Sequence, residues 1–189
     1  MQRVNTLLLT VLSMQLVFGC NREAREYSSK GYNITHVQDE NLEQVIIDNI
    51  QERMDSQFSN EEAIVRALPK GQRAIYVTWV LEAEVNNGGF NQFYYNSSGQ
   101  FADLTEEALL TIGATKFAEL ARQANLTYDS IKDDLKAKDD GTIESFSKSY
   151  EANPLNDLDD KFYSLDRAEP LSEIKIKYIR NHIEDFMVD

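Results

Sequence analysis

Residues 71 to 86, GQRAIYVTWVLEAEVN, are apolar almost all the way round a helical wheel, through Ala74, Ile75, Tyr76, Val77, Trp79, Val80 and Leu81. A helix of that pattern has no broad face for water and forms the buried centre of its domain. Gly88 and Gly89 follow at once, and glycine adopts left-handed backbone at no steric cost, so the pair is expected to stop the helix. Phe90 to Tyr95 then form a further short helix or turn that Ser97-Ser98-Gly99 closes. Any fold of this chain must wrap other elements around 71–86 and accommodate a break straight after it.

The flanking segments supply that wrapping. Leu42, Ile46, Ile50 and Met54 recur every four residues with Val45 beside them, which predicts an amphipathic helix over 39–58. Asn60 is placed to cap a short helix from Glu61 to Leu68, which Pro69 ends. Leu104-Thr105-Glu106-Glu107 reads as a helix start, Gly113 as punctuation and Thr115 to Ala124 as the second arm of a hairpin. Residues 127–153 are polar, with a turn at Asp139-Asp140-Gly141 and a short helix marked by Ile143, Phe146 and Tyr150. Asn156 or Asp157 can cap a helix carrying Leu158, Phe162 and Leu165. A last helix after Pro170 carries Ile176, Ile179, Ile183 and Phe186. Strand signals are scarce. The expected class is all-α, a compact single-domain bundle of about seven to eight helices around a buried central one.

Ahead of this body, Arg3 and the apolar run Leu7 to Phe18 read as an export signal, too short to span a bilayer as a mature helix. Leu16-Val17-Phe18-Gly19-Cys20 resembles the lipobox of bacterial lipoproteins, in which the cysteine becomes the lipidated first residue. Cys20 is the only cysteine, so no internal disulfide is available. The resemblance implies a membrane anchor at Cys20 on the outer membrane or periplasmic face of a bacterial envelope. The expected organisation is a signal peptide over 1–19, a flexible polar tether over 20–37 and an acidic helical domain over 38–189.

Charge bounds the partner. Thirty-two Asp and Glu face 19 Lys and Arg, a formal charge of -13, which argues against direct nucleic-acid binding and favours a basic protein partner. Residues 39–62 hold eight acids against one base, Arg53. On the first helix Asp48, Glu52 and Asp55 lie opposite the apolar stripe at i, i+4 and i+7, neighbours roughly 5 to 6 Å apart. Asp39, Glu40 and Glu43 lie nearby on the same helix. These six make the candidate acidic binding face.

Signals for chemistry are weaker. His36 and His182 are the only histidines and stand far apart without partner cysteines, so no zinc set is expected. Lysines at 136 and 138 occupy positions where a calcium loop needs carboxylates. No enzyme activity, cofactor or metal is expected. The stretch Glu82 to Gly99 admits two readings. In one, Gly88-Gly89 turns the chain, Phe90, Phe93 and Tyr94 fill the core, and Asn86, Asn87, Asn91 and Asn96 satisfy backbone groups. In the other, Glu82 or Glu84 and the amide side chains form a small-ligand pocket. Glu82 sits on an inward face and needs a partner, for which Arg73 or Arg66 is the candidate.

From Trp79 through Glu82, Glu84, Asn86, Asn87, Gly88, Gly89 and Phe90, and on through Gln92, Phe93, Asn96, Ser97, Ser98 and Gly99, the chain resembles the DNA mimic protein 19 family. Leu68-Pro69, Ile112-Gly113-Ala114 and Leu158-Asp159-Asp160-Lys161-Phe162-Tyr163 fall in the expected order, over roughly residues 40 to 186. The resemblance implies a compact helical domain whose eponymous member imitates the charge of duplex DNA and occupies a transcription repressor. An exported protein is separated from a cytoplasmic repressor, and likeness of fold does not fix function. The expectation is therefore a non-enzymatic, lipid-anchored acidic protein that binds a basic partner. The alternatives are a cytoplasmic-type DNA mimic, or a small-ligand binder or enzyme using Glu82 to Asn96. A homodimer is left open, since no second apolar face stands out.

Overall fold

The computed structural model describes residues 33–187, and the expected signal peptide, Cys20 and most of the tether lie outside them. Eight α-helices follow in order: α1 Asp39–Gln51, α2 Glu61–Ala67, α3 Lys70–Tyr95, α4 Ala102–Thr111, α5 Thr115–Lys138, α6 Ile143–Lys148, α7 Asn156–Ala168 and α8 Leu171–Asn181. Single 3-10 turns cover Ile34–His36, Ser97–Phe101 and Ile183–Phe186. The fold is all-α, and no strand occurs among the described residues.

Helix α3 is the axis, because its sequence leaves it nothing else to be. Ala74, Ile75, Tyr76, Val77, Thr78, Val80, Leu81 and Val85 are all buried, and α1, α2, α4 and α7 pack around it. Helices α4 and α5 form the hairpin expected at Gly113, whose φ of 86° suits glycine. Phe162 of α7 meets Phe90 edge-on with centroids 6.0 Å apart and Phe117 of α5 at 5.3 Å, which ties three helices together.

Four boundaries differ from the sequence reading. Helix α1 ends at Gln51 rather than Phe58, since Arg53 and Met54 donate to carbonyls three residues back and the Asp55 carboxylate takes the Gln57 and Ser59 amides. A side chain that offers the backbone local partners competes with helix in this way. Asn60 does not cap its own helix, because its Oδ1 accepts the Asp55 N–H at 3.0 Å. Helix α5 continues well past Ala124 to Lys138, with Tyr128 and Ile131 half-buried on its inner side and a Lys132–Asp129 pair outside. The ordered body also begins before residue 38. Ile34 is fully buried and Val37 nearly so, while Arg180 donates to both of their carbonyls.

Candidate functional site

The glycine pair breaks α3 without ending it. Gly88 has φ -162° and ψ 27°, and Gly89 has φ 74° and ψ -178°, a region open in practice to glycine alone. Such a break strands backbone groups, and three around it find a side chain from the α6–α7 region. Tyr163 donates its hydroxyl to the Val85 carbonyl at 2.7 Å and Tyr150 donates to the Gly88 carbonyl at 2.8 Å. The Phe90 N–H donates to Asp159 Oδ1 at 2.7 Å. A β-carbon on Gly89 would lie 2.2 Å from the other Asp159 oxygen, so glycine is needed there for space as well as for φ. Burial pushes the Asp159 carboxyl up to about 6, against the Phe90 amide that favours its charge and with Asp160 adding repulsion.

Glu84 is the second centre. It is 7% exposed, and its Oε2 accepts from Gln92 at 2.7 Å and Asn96 at 2.9 Å while Oε1 accepts from Ser98 at 2.6 Å. Three charge-assisted bonds of that length satisfy a buried carboxylate. Asn91 donates to Ser149 at 2.7 Å and accepts from Asn153 at 3.0 Å, which fastens the second half of α3 to the segment after α6. Gly99 backs onto the Tyr94 carbonyl, where a β-carbon would come within 2.9 Å. Phe90 and Phe93 are buried, whereas Asn86, Asn87 and Ser97 face solvent. The motif's glycines and aromatics thus serve the turn and the core as the architectural reading expects, but its asparagines do not serve backbone groups: Asn96 bonds the Glu84 carboxylate, Asn91 bonds Ser149 and Asn153, and Asn86 and Asn87 face solvent.

Glu82 finds neither of the arginines proposed for it. Arg66 pairs with Glu62 and Asp103, and Arg73 donates to the Arg66 and Leu68 carbonyls. Lys175 of α8 takes the place instead. It is 1% exposed and bonds both Glu82 of α3 and Glu43 of α1. Burial raises the Glu82 carboxyl, with Lys175 opposing. Burial alone would lower Lys175, but the two carboxylates outweigh it and hold the ammonium above its ordinary value. The signal was present in the sequence, because Leu171, Lys175 and Ile179 share one four-residue stripe and all three are buried.

This removes Glu43 from the acidic face: it points inward to Lys175. Asp39 pairs with Arg180 at 2.6 Å, and Asp48 accepts from Gln44 at 2.6 Å. Asp55 lies beyond α1, so the expected i, i+4, i+7 ridge is not one helix face. Ser59, Gln57 and Asn60 engage it there, and those hydrogen bonds hold its carboxyl below the usual range. Glu40 and Glu52 are exposed. No group of three metal-ligating side chains suited to an ion occurs among the described residues. No helix among them is long and apolar enough to cross a membrane.

The model of the DMP19-like protein family matches residues 66–182, from the end of α2 to the residue after α8. The chain belongs to this family. The matched span takes in all of the break in α3, its three side-chain partners, the Glu84 cluster and Lys175, so the architecture around Gly88-Gly89 lies inside the DMP19-like region. Helix α1, with Glu40, Glu43 and Asp48, and Glu52 just past its end lie outside it, and the span is shorter than the 40 to 186 read from motifs. No curated protein and no solved structure matches the chain.

Proposed function

We propose that this DMP19-like protein is a non-enzymatic acidic binding protein that engages a basic protein partner through exposed carboxylates. The observation that carries this reading is the contrast between two sets of acids. Glu82 and Glu84, the carboxylates best placed for a pocket, are committed to Lys175 and to Gln92, Asn96 and Ser98. Glu40 and Glu52 stand in water on a chain whose formal charge is -13. A long-range field of that sign accelerates and orients encounter with a cationic surface, and salt weakens it. The carboxylates kept as the working face are Glu40, Asp48 and Glu52, with Asp55 beside them.

Lipid anchoring at Cys20 belongs to the same proposal, and it puts the partner in the envelope. The second reading is a cytoplasmic-type DNA mimic that occupies a DNA-binding protein, and membership of the DMP19-like family favours it. Membrane fractionation of the full-length chain beside its Cys20→Ala variant separates the two. Anchoring requires the wild type in the membrane pellet and the variant in the soluble fraction. A soluble wild type sustains the DNA-mimic reading instead. The partner surface is tested by affinity purification from the native cell with Glu40→Lys/Glu52→Lys as the comparison. Basic proteins retained by the wild type at low salt and lost by the variant support the face, and an unchanged set of retained proteins removes it.

A further inference from the structure

Helix α6 is only half covered. Its apolar stripe is Ile143 and Phe146, continued by Tyr150 just past its end, and the last two turn toward α3. Phe146 lies against Tyr95 with ring centroids 4.4 Å apart and meets Tyr150 at 5.3 Å, and Tyr150 reaches the Gly88 carbonyl. Ile143 begins the same stripe yet is 82% exposed, and Tyr95 beside Phe146 is 43% exposed. No residue of α6 is buried. Ile143 is the most exposed of the large apolar side chains among the described residues, and on a stripe otherwise anchored to the body it offers apolar area whose burial by a partner is favourable.

The surrounding chemistry selects the partner. The run from Asp139 to Glu144 holds three exposed carboxylates, of which Glu144 pairs with Lys148 at 2.8 Å, so Asp139 and Asp140 are the two that an incoming cation meets. Asp139 and Asp140 are fixed in position. Asp139 accepts the Gly141 amide at 2.9 Å, and Asp140 accepts the Thr142 amide at 3.0 Å. Hydrogen bonds from Thr142 and Ser145 keep the Asp140 carboxyl below its ordinary range, so it stays charged at neutral pH. The exposed part of the Tyr95 ring next to fixed carboxylates suits a Lys or Arg, which gains from the ring as well as from the acids.

We propose that this overhang docks a cationic amphipathic segment of a partner protein, with an apolar residue of the partner on Ile143 and its Lys or Arg side chains on Tyr95, Asp139 and Asp140. The proposal rests on the reading that the partner is basic, and places that contact at the far end of the break in α3. The patch falls inside the DMP19-like region, unlike α1.

The test uses the isotope-labelled full-length protein and two synthetic peptides of equal positive charge, one of leucine and lysine with an amphipathic helical pattern, the other of serine and lysine. The leucine–lysine peptide should shift the amide resonances of Tyr95 and of residues 139–146. Ile143→Ser should weaken it about tenfold, the loss expected for one buried aliphatic contact, and leave the serine–lysine peptide unchanged. Because Ile143 is in water, Ile143→Ser should keep the thermal midpoint of the wild type, which separates lost docking from lost folding. Equal affinity of the leucine–lysine peptide for both proteins, or shifts confined to α1, overturns this surface while leaving the basic-partner reading in place. Failure of both peptides to bind at low salt overturns the two together.

Discussion

Asp159 accepts the Phe90 N–H at 2.7 Å across the break in α3, and the same carboxylate fills the space that a β-carbon on Gly89 would need. Two costs therefore fall together on Gly89→Ala: the strain of φ 74° with ψ -178°, and displacement of a charged cap. Strain of this kind and loss of a charge-assisted bond together come to ~3 kcal/mol. Gly113→Ala is the internal comparison, since its φ is 86° but nothing lies within 4 Å of the added carbon. It should cost only ~1 kcal/mol, the ordinary left-handed penalty. Urea unfolding of the two variants measures the difference, and equal losses would show that Asp159 does not hold the break.

Asp159 also gives the fold a pH dependence of definite sign. Its carboxyl is raised from 3.8 to about 6, so the folded state binds a proton that the unfolded chain has already released. Stability from this group is fully present below 3.8 and is lost as pH rises through about 6. The ionisable groups interacting with it are Asp160, Tyr150 and Tyr163, and none is a cation. Asp159→Asn keeps an oxygen for the Phe90 amide and removes the titration. The stability difference between wild type and variant should therefore move in favour of the wild type as pH falls from 7.5 toward 4.5, a range set around those two values. Denaturation midpoints at each pH read this out, and a constant difference would deny Asp159 its raised value.

How much of this was legible in the sequence follows from the range of the forces involved. The all-round apolar run of 74–85 and the four-residue stripe of α1 reported helices, and Gly88-Gly89 reported a break, because these are local steric facts. The partners of the break were not legible as partners. Tyr150 and Tyr163 lie 62 and 78 residues from the carbonyls they serve, and only folding shows which hydroxyl reaches which. Glu82 was correctly read as inward, yet Lys175 stands 93 residues away while the arginines were closer in sequence. The acidic face suffered from the converse error. The wheel placed Glu43 and Asp55 by ideal periodicity, but α8 drew Glu43 inward and Asp55 left the helix for a turn.

Glu84 is acceptor to three donors, so its oxygens matter more than its charge alone. Glu84→Ala leaves Gln92, Asn96 and Ser98 without their acceptor, and removal of a buried charged acceptor costs ~3 kcal/mol. Glu84→Gln keeps the volume but aims an amide N–H at donors, and should recover less than half of that loss. Both variants should weaken the second half of α3 first. Hydrogen exchange at residues 90–98 should then accelerate more than exchange at 74–81, which lies on the intact half. Uniform acceleration along α3 would mean that Glu84 supports the fold at large and has no special hold on the segment after the glycines.

Lys175 closes a buried triad whose net charge is negative, with Glu43 on α1 and Glu82 on α3. Lys175→Met fills similar volume but leaves two neighbouring carboxylates without their cation, and breaking a buried pair this way costs ~3 to 5 kcal/mol. The loss should depend on pH. Without the ammonium that opposes it, Glu82 rises further above its ordinary value and sheds its cost by taking up a proton. Lys175→Met should therefore be most destabilised near pH 8 and recover as the medium is acidified toward pH 5, a window chosen between carboxylate and lysine titration. Adding Glu43→Gln and Glu82→Gln removes the stranded charges, and this triple variant should regain most of the lost stability at pH 8 while losing the pH slope. Thermal melts of the three proteins across that window test the series. A Lys175→Met loss that is pH-independent and unrelieved by the two glutamines would mean that Lys175 acts through the packing of its stem between Leu171 and Ile179 rather than through its charge.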